Sequence, residues 1–170
     1  MFKNLIMLFV VMLMGTAFTL SAAAADADYA REARDRAAIE QLMWNYVRAL
    51  DSFNSDAYAA TYTEDGRFIA GENPVKGHEA LKKMIDDYRK DREQRTAKGE
   101  AVPPMNHIMT NEYLEFIDRD HARLHSYWMT VFGAAKDIQP RVAASGRGVD
   151  ELVRVNGKWL IKLRDVLPQD

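Results

Sequence analysis

One histidine and one aspartate, far apart in the chain, have side chains that could do acid–base chemistry together. His107 lies in an extended run, and Asp51 directly follows an amphipathic segment. A carboxylate hydrogen-bonded to one imidazole nitrogen fixes the tautomer and stabilises the imidazolium, which leaves the other nitrogen to take a proton. The spacing leaves a second interpretation open, in which His107 is a structural hydrogen-bonding residue and Asp51 satisfies nearby backbone amides or marks a solvated helix boundary.

The segment that ends at Asp51 has the period of a helix with one apolar face. Its apolar residues recur at i, i+3, i+4, i+7, i+8 and i+11, namely Ile39, Leu42, Met43, Tyr46, Val47 and Leu50. This spacing predicts a helix over about 35–50. Arg48 falls opposite the apolar face, and Asp51 falls on its edge.

Helical patterns come first in the chain, and extended runs follow. We expect a short helix capped by Ser55, a turn at 64–66, a strand at 67–70, a loop at 71–77, a helix at 78–95, and strands at 106–117, 121–132, 147–155 and 158–166. Asn156-Gly157 is a strong signal for a two-residue hairpin. This order predicts an α+β fold in which the helices pack on one face of a bent antiparallel sheet.

A helix packed against a curved sheet leaves a cavity, and several side chains are candidates for its lining. Besides Tyr46 and Asp51, the expected wall residues are Met43, Tyr62, Met109, Tyr127 and Trp128, with His125 as a further candidate because it shares the parity of Tyr127. The run from Asn106 to Ile117 has no clean polar face. A sheet whose outer face is covered, as in an oligomer, would explain that mixture.

Composition limits the classes of partner. The net charge is −2, which does not suggest nucleic acid or an anionic membrane surface. The chain has no cysteine, so disulfides, thiol nucleophiles and thiolate metal sites are excluded. The sequence has no Gly-rich phosphate loop and no internal repeat.

The N-terminus has the layout of a secretory signal peptide. Lys3 precedes an apolar run from Leu5 to Leu20, and small residues follow as far as Ala25. We expect residues 1–25 to be cleaved, which leaves a domain over 26–170 that is periplasmic or secreted, without stable membrane insertion. The alternative is an uncleaved anchor, because the run from Leu5 to Ala25 could just span a bilayer.

Five short motifs, in order, resemble a known family. They are Ala37-Ala38-Ile39-Glu40-Gln41-Leu42 leading to Asp51, Tyr62-Thr63-Glu64-Asp65-Gly66, Gly77-His78-Glu79-Ala80-Leu81, His107-Ile108-Met109-Thr110-Asn111, and Asn156-Gly157-Lys158-Trp159 with Arg164. Together they resemble the SnoaL-like branch of the NTF2-like superfamily, over about residues 34–167. The resemblance implies a cone in which a bent antiparallel sheet wraps around N-terminal helices and encloses a pocket. It also implies a homo-oligomer, usually a dimer through the sheet, for which Tyr113, Phe116, Trp128 and Phe132 are candidate contacts.

The resemblance also implies an activity. Scytalone dehydratase and the lindane dehydrochlorinase, enzymes of this family, use a His–Asp dyad without metal or organic cofactor, and the matching positions are His107 and Asp51. Arg164 matches a pocket arginine that could hold negative charge. Tyr46 stands where the dehydrochlorinase has a lysine, and it could donate a hydrogen bond to a substrate oxygen. Gly146 and Gly148 stand where scytalone dehydratase has polar residues, so the resemblance does not carry over its substrate.

These expectations combine into two hypotheses. The first is a cofactor-independent lyase or isomerase that abstracts a proton from a small hydrophobic or aromatic substrate. The alternative is a non-catalytic module that binds a small molecule in the same pocket.

Overall fold

The computed structural model describes the backbone of residues 2–168 and the side chains of residues 26–168. The chain divides into two compact units, one up to Ala38 and one over Ile39–Asp170. Within residues 26–168, no helix is long and apolar enough to cross a membrane. The predicted signal peptide lies outside the residues whose side chains are described, so it remains a prediction.

Three helices precede or interrupt the first strands: α1 (Phe2–Asp51), α2 (Ser55–Ala59) and α3 (His78–Ala97). The predicted apolar face of α1 is confirmed, because its residues are buried except for the half-buried Val47, and Arg48 is exposed. The predicted cap of α2 is wrong by one residue. The side chain of Asn54, not Ser55, accepts a hydrogen bond from the amide of Ala57 at 3.0 Å.

Six strands form one bent, unclosed sheet. They are β1 (Tyr62–Ile69), β2 (Val75–Lys76), β3 (Met105–Phe116), β4 (His121–Phe132), β5 (Arg141–Val155) and β6 (Lys158–Asp165), in the spatial order β2-β1-β6-β5-β4-β3. The α+β prediction is confirmed, but the sheet is mixed rather than antiparallel, because β1 pairs with β6 in parallel. The predicted hairpin at Asn156-Gly157 joins β5 to β6, and both residues have positive φ, as a type I′ turn requires.

The turn predicted at 64–66 is instead part of β1. Gly66 is buried there, and a Cβ at this position would lie 2.8 Å from the Cβ of Tyr62 and 2.9 Å from the carbonyl oxygen of Thr63. Glycine is therefore needed for close packing within a locally irregular strand rather than for a turn. The register against β6 shifts between Tyr62 and Arg67, at the same place.

A β-bulge in β3 explains the mixed polarity of that strand. The register against β4 shifts between Thr110 and Tyr113, and Asn111 has a φ of 51°. The extra residue reverses which positions of the strand face inward. Odd-numbered positions such as His107 are half-buried before the bulge, and even-numbered positions such as Leu114 are half-buried after it. The strand thus has a regular inner face on each side of the bulge, and its sequence pattern requires no covered outer face.

Candidate active site

The end of α1 positions Asp51. The helix closes with a bond from the Asn54 amide to the Ala49 carbonyl at 2.9 Å, and Phe53 adopts a φ of 54°. This is the geometry of a Schellman motif, with phenylalanine where glycine is usual. A left-handed non-glycine residue costs about 1–2 kcal/mol. The surrounding packing offsets that cost and holds the last turn of the helix, including Asp51, in place.

Asp51 binds His107 at two points. The carboxylate accepts a hydrogen bond from Nδ1 of the His107 ring at 2.7 Å, and the His107 backbone amide donates to its two oxygens at 3.0 and 3.2 Å. Nδ1 must carry the proton in the neutral ring, because the carboxylate can only accept. Nε2 is therefore the unprotonated nitrogen, and no hydrogen bond from the described residues reaches it.

Two chambers meet at His107. The inner chamber, about 190 Å³, is lined by Tyr46, Val47, Leu50, Phe68, His107, Met109, Trp128, Thr130, Ala144, Arg164 and Val166. The outer chamber, about 280 Å³, is lined by Leu50, Phe53, Tyr58, Phe68, Met84, Tyr88, Asp91, Arg92, Arg95, Val102, Met105, His107, Thr130 and Phe132. The residues that belong to both are Leu50, Phe68, His107 and Thr130. The imidazole thus stands at the neck of a largely apolar, two-part pocket.

Arg164 lines the inner chamber, but its charge already has a partner. Its Nη1 donates to the Asp150 carboxylate at 2.5 Å, and the two residues pair directly across β5 and β6. Their side chains are 3% and 0% exposed. Although burial lowers the pKa of the guanidinium, Asp150 raises it well above its ordinary value, so Arg164 stays charged. The charge of Arg164 is therefore already paired with Asp150, and its expected role in holding negative charge on a ligand stays a prediction.

A cluster of tyrosines packs behind the inner chamber. The ring centroid of Tyr46 lies 5.3 Å from that of Tyr58 and 6.2 Å from that of Tyr62. The hydroxyls of Tyr58 and Tyr62 are 3.2 Å apart, and the Arg164 guanidinium lies 4.6 Å from the Tyr46 ring. Burial raises the pKa of Tyr58 and Tyr62 well above the ordinary value. Tyr58 and Tyr62 are therefore neutral, and they support Tyr46 from behind.

Of the other six predicted wall residues, two line a chamber, two lie in the core and two are exposed. Met109 and Trp128 line the inner chamber. Met43 and Tyr62 are buried in the core and line neither chamber.

His125 and Tyr127 are exposed and line neither chamber, so their assignment to the pocket is wrong. The buried residue between them, Ser126, shows that the even-numbered positions of β4 face inward. On a pleated strand the odd positions must then face outward. The sequence placed both Tyr127 and Trp128 in the pocket, although neighbouring positions of a strand face opposite sides, and His125 was assigned by the parity of Tyr127.

The indole of Trp128 is fixed from both sides. Its Nε1 donates to the carbonyls of Arg147 at 2.9 Å and Val166 at 3.2 Å. A Cβ on Gly146 would lie 2.8 Å from its ring. Gly146 therefore provides the space that the indole occupies, which is a packing reason for glycine at this position.

Two residues of the candidate site were not predicted from the sequence. Thr130 pairs with His107 across β3 and β4 and lines both chambers. Thr130 lies two positions after Trp128 on β4 and therefore faces the same side of the sheet, so the sequence pattern could have identified it. Asp150 had no such signal, because it lies in an alternating strand whose sequence pattern is typical of a half-exposed strand.

Within residues 26–168, no group of three or more histidine or carboxylate side chains is placed to hold a metal ion.

Comparison with known proteins identifies the fold and the family. The chain has no match among curated proteins. An NTF2-like protein with a cystatin-like fold from Novosphingobium aromaticivorans is 19% identical, with a TM-score of 0.68 over 85% of this chain and 89% of that one. A proposed scytalone dehydratase from the same species is 23% identical, with a TM-score of 0.63 over 79% and 84% of the chains. A Catenulispora acidiphila protein in complex with S-DNPA is 23% identical, with a TM-score of 0.64 over 78% and 91%.

These structural likenesses establish an NTF2-like fold. The sequence profile of the SnoaL-like domain matches residues 31–165, which is most of the chain. The chain therefore belongs to the SnoaL-like domain family.

Proposed function

We propose that this protein is an exported, cofactor-independent lyase or isomerase that abstracts a proton from a small hydrophobic or aromatic substrate. The observation that carries the proposal is the 2.7 Å contact between His107 Nδ1 and Asp51, with Nε2 unprotonated at the neck of the pocket. Similarity to a proposed dehydratase and to a protein in complex with a small molecule supports the same interpretation.

The chemistry follows from the tautomer that Asp51 sets. Nε2 takes a proton from a carbon next to an activating carbonyl, and the electron pair of the broken C–H bond passes into an enolate. The imidazolium that forms is stabilised by the carboxylate of Asp51. It then returns the proton, either to a departing hydroxyl, which leaves as water, or to a second carbon of the substrate. The first outcome is an elimination and the second is an isomerisation, and both restore neutral His107.

Donors at the neck and in the inner chamber would hold the substrate oxygen. Thr130 lies opposite His107, and Tyr46 lines the inner chamber beside Arg164. A hydrogen bond to a developing enolate oxygen is stronger than one to the ground-state carbonyl, so such donors accelerate the reaction. We assign this role to Tyr46, with Thr130 as a second donor.

The chain contains its own matched control for the dyad. His121 and Asp118 form a second pair, with Nδ1 of His121 2.9 Å from the carboxylate, but both side chains are 57% exposed at a turn. We expect His107→Gln to abolish turnover of the confirmed substrate and Asp51→Asn to lower it by about 10²–10⁴, whereas His121→Gln and Asp118→Asn leave it unchanged. Ligand affinity should stay within about threefold in all four variants.

The alternative function, a non-catalytic binding module, predicts a different result. The bound molecule would first be identified by mass spectrometry of protein purified from its native host, and then incubated with fresh enzyme. If it is recovered unchanged and without exchanged protons, the pocket binds without turnover. If the His107→Gln variant converts it as fast as wild type does, the dyad has no catalytic role.

We also propose export and cleavage near Ala24 or Ala25. Mass spectrometry of the mature protein should give an N-terminus at Ala25 or Asp26. A mature chain that still begins at Met1 would instead support the uncleaved anchor.

A homodimer through the outer face of the sheet is the proposed assembly. Ile108, Tyr113, Tyr127 and Val142 are exposed apolar side chains of β3, β4 and β5. Of the four contact candidates from the sequence, Tyr113 is exposed, whereas Phe116 packs against the core, and Trp128 and Phe132 line the chambers. Analytical ultracentrifugation should show a dimer that Tyr127→Asp dissociates. A monomer at all concentrations would contradict this assembly.

A further inference from the structure

The two residues of the inner chamber that can carry positive charge each have a carboxylate partner of their own. His107 is bound to Asp51, and Arg164 is bound to Asp150. The other described residues that line this chamber are apolar or hydroxyl-bearing. Protonation of His107 would therefore add a charge that Asp51 already compensates, and the Asp150 carboxylate compensates the charge of Arg164.

A third carboxylate makes the site still less favourable for an anion. Glu112, in the bulge of β3, interacts electrostatically with both Arg164 and Asp150. Glu112 is exposed and lines neither chamber, and partial burial and the neighbouring Glu40 raise the pKa of its carboxyl group. An anionic ligand in the inner chamber would lose its hydration without gaining an uncompensated cation, and such burial is unfavourable.

The hydrogen-bond donor of Arg164 that does not contact Asp150 suits a neutral acceptor atom of a ligand. Its Nη2 faces the sulfur of Met109 at 3.7 Å, a weak interaction that a better acceptor could replace. Its cation also lies 4.6 Å from the Tyr46 ring. A carbonyl or hydroxyl oxygen of a ligand can accept from Nη2 or from the Thr130 hydroxyl without bringing a charge into the chamber.

The volume limits the part of the ligand that enters. A dry protein cavity of about 150 Å³ accommodates benzene, and the inner chamber measures about 190 Å³. One six-membered ring with a short substituent therefore fills the inner chamber. Any larger part of the molecule must extend past His107 into the outer chamber.

We infer that the inner chamber binds a neutral single-ring group bearing a carbonyl or hydroxyl oxygen, and that Asp150 determines this preference by neutralising Arg164. The inference deepens the proposed function, since it names the substrate class of the same pocket. Asp150 acts as a specificity-determining residue through Arg164, and it makes no contact with the substrate itself.

The test compares two ring compounds that differ in charge and little in shape. Acetophenone carries a neutral carbonyl, and benzoate carries a carboxylate. Binding is followed by the indole N–H signal of Trp128 in ¹H–¹⁵N spectra, with the exposed Trp44 as an internal reference. Wild-type protein should bind acetophenone at least about tenfold more tightly than benzoate. Benzoate binding as tight as acetophenone, or no response of Trp128 to acetophenone, would overturn the inference.

Variants then assign the preference to Asp150. Asp150→Asn leaves Arg164 uncompensated, so affinity for benzoate should rise by about tenfold or more while that for acetophenone changes little. Asp65→Asn is the matched control, because it removes a carboxylate that pairs with Lys162 on the exposed side of the sheet. An unchanged ratio of the two affinities in Asp150→Asn would overturn the inference.

A second variant keeps the test decisive if Asp150→Asn does not fold. Glu112→Gln removes a partly shielded carboxylate from the same cluster, and it should raise benzoate affinity by a smaller factor, about twofold to fivefold. No gain in Glu112→Gln would count against the inference. These binding results do not depend on turnover, so the charge preference can fail while the dyad mechanism holds, and the reverse is also true.

Discussion

Asp51→Asn removes the charge that holds His107 while keeping the shape of the side chain. Both carboxylate oxygens lie within 3.2 Å of the His107 backbone amide, and one also accepts from Nδ1 at 2.7 Å. Either orientation of the asparagine amide therefore places its NH₂ group against the backbone N–H, which is a donor–donor contact. One orientation also donates to Nδ1, which moves the ring proton to Nε2 and blocks the base.

The magnitude follows from these contacts. A hydrogen bond to a charged group contributes about 1.5–3 kcal/mol, and losing it in the imidazolium state slows the reaction by about 10- to 150-fold. The wrong tautomer adds to this, as in the serine protease triad, where the equivalent Asp→Asn change lowers kcat by about 10⁴. We expect kcat to fall by about 10²–10⁴, with KM nearly unchanged.

Two measurements check this prediction. Steady-state kinetics on the confirmed substrate gives kcat, and ¹⁵N spectra of the imidazole report the tautomer without any substrate. Neutral His107 should carry its proton on Nδ1 in the wild type. A wild-type proton on Nε2, or a variant whose kcat stays within about threefold of wild type, would refute the role assigned to Asp51.

Three further predictions concern the scaffold. Tyr58 and Tyr62 should stay un-ionised in the folded protein as pH rises above 10. In the unfolded chain the same hydroxyls ionise near their ordinary pKa, so the free energy of unfolding should fall as pH rises through that range. Ultraviolet titration and urea unfolding test this, and early ionisation of all tyrosines would contradict it. Gly146→Ala should displace the Trp128 indole and cost about 1–3 kcal/mol in urea unfolding; an unchanged midpoint would contradict the close packing. Asn111→Val should cost about 1–2 kcal/mol because of its φ of 51°, whereas Asn111→Gly should not.

The elements governed by local periodicity could be predicted from the sequence. The face of α1 follows from the spacing of its apolar residues, and β4 begins and ends where its turn signals lie. The hairpin at Asn156-Gly157 is encoded by two residues that tolerate positive φ. In each case neighbouring residues are sufficient to determine the conformation.

Features that depend on partners distant in sequence could not be predicted in this way. The bulge at Asn111 reverses the parity of β3, and parity is the basis on which inward residues are assigned. The parallel pairing of β1 with β6 has no local signal. Asp150 lies in an alternating strand, and only the β5–β6 register shows that its carboxylate meets Arg164 in the core. The prediction therefore found the arginine and missed the residue that neutralises it.

Proton abstraction by His107 is tested most directly by deuterium exchange into the molecule that the pocket binds. The ligand recovered from native protein is incubated with enzyme in D₂O and followed by NMR. Wild type should introduce deuterium at a carbon next to the carbonyl group, and His107→Gln should bind the molecule without exchange. Exchange that persists in His107→Gln, or a wild type that binds without exchange, would contradict the account.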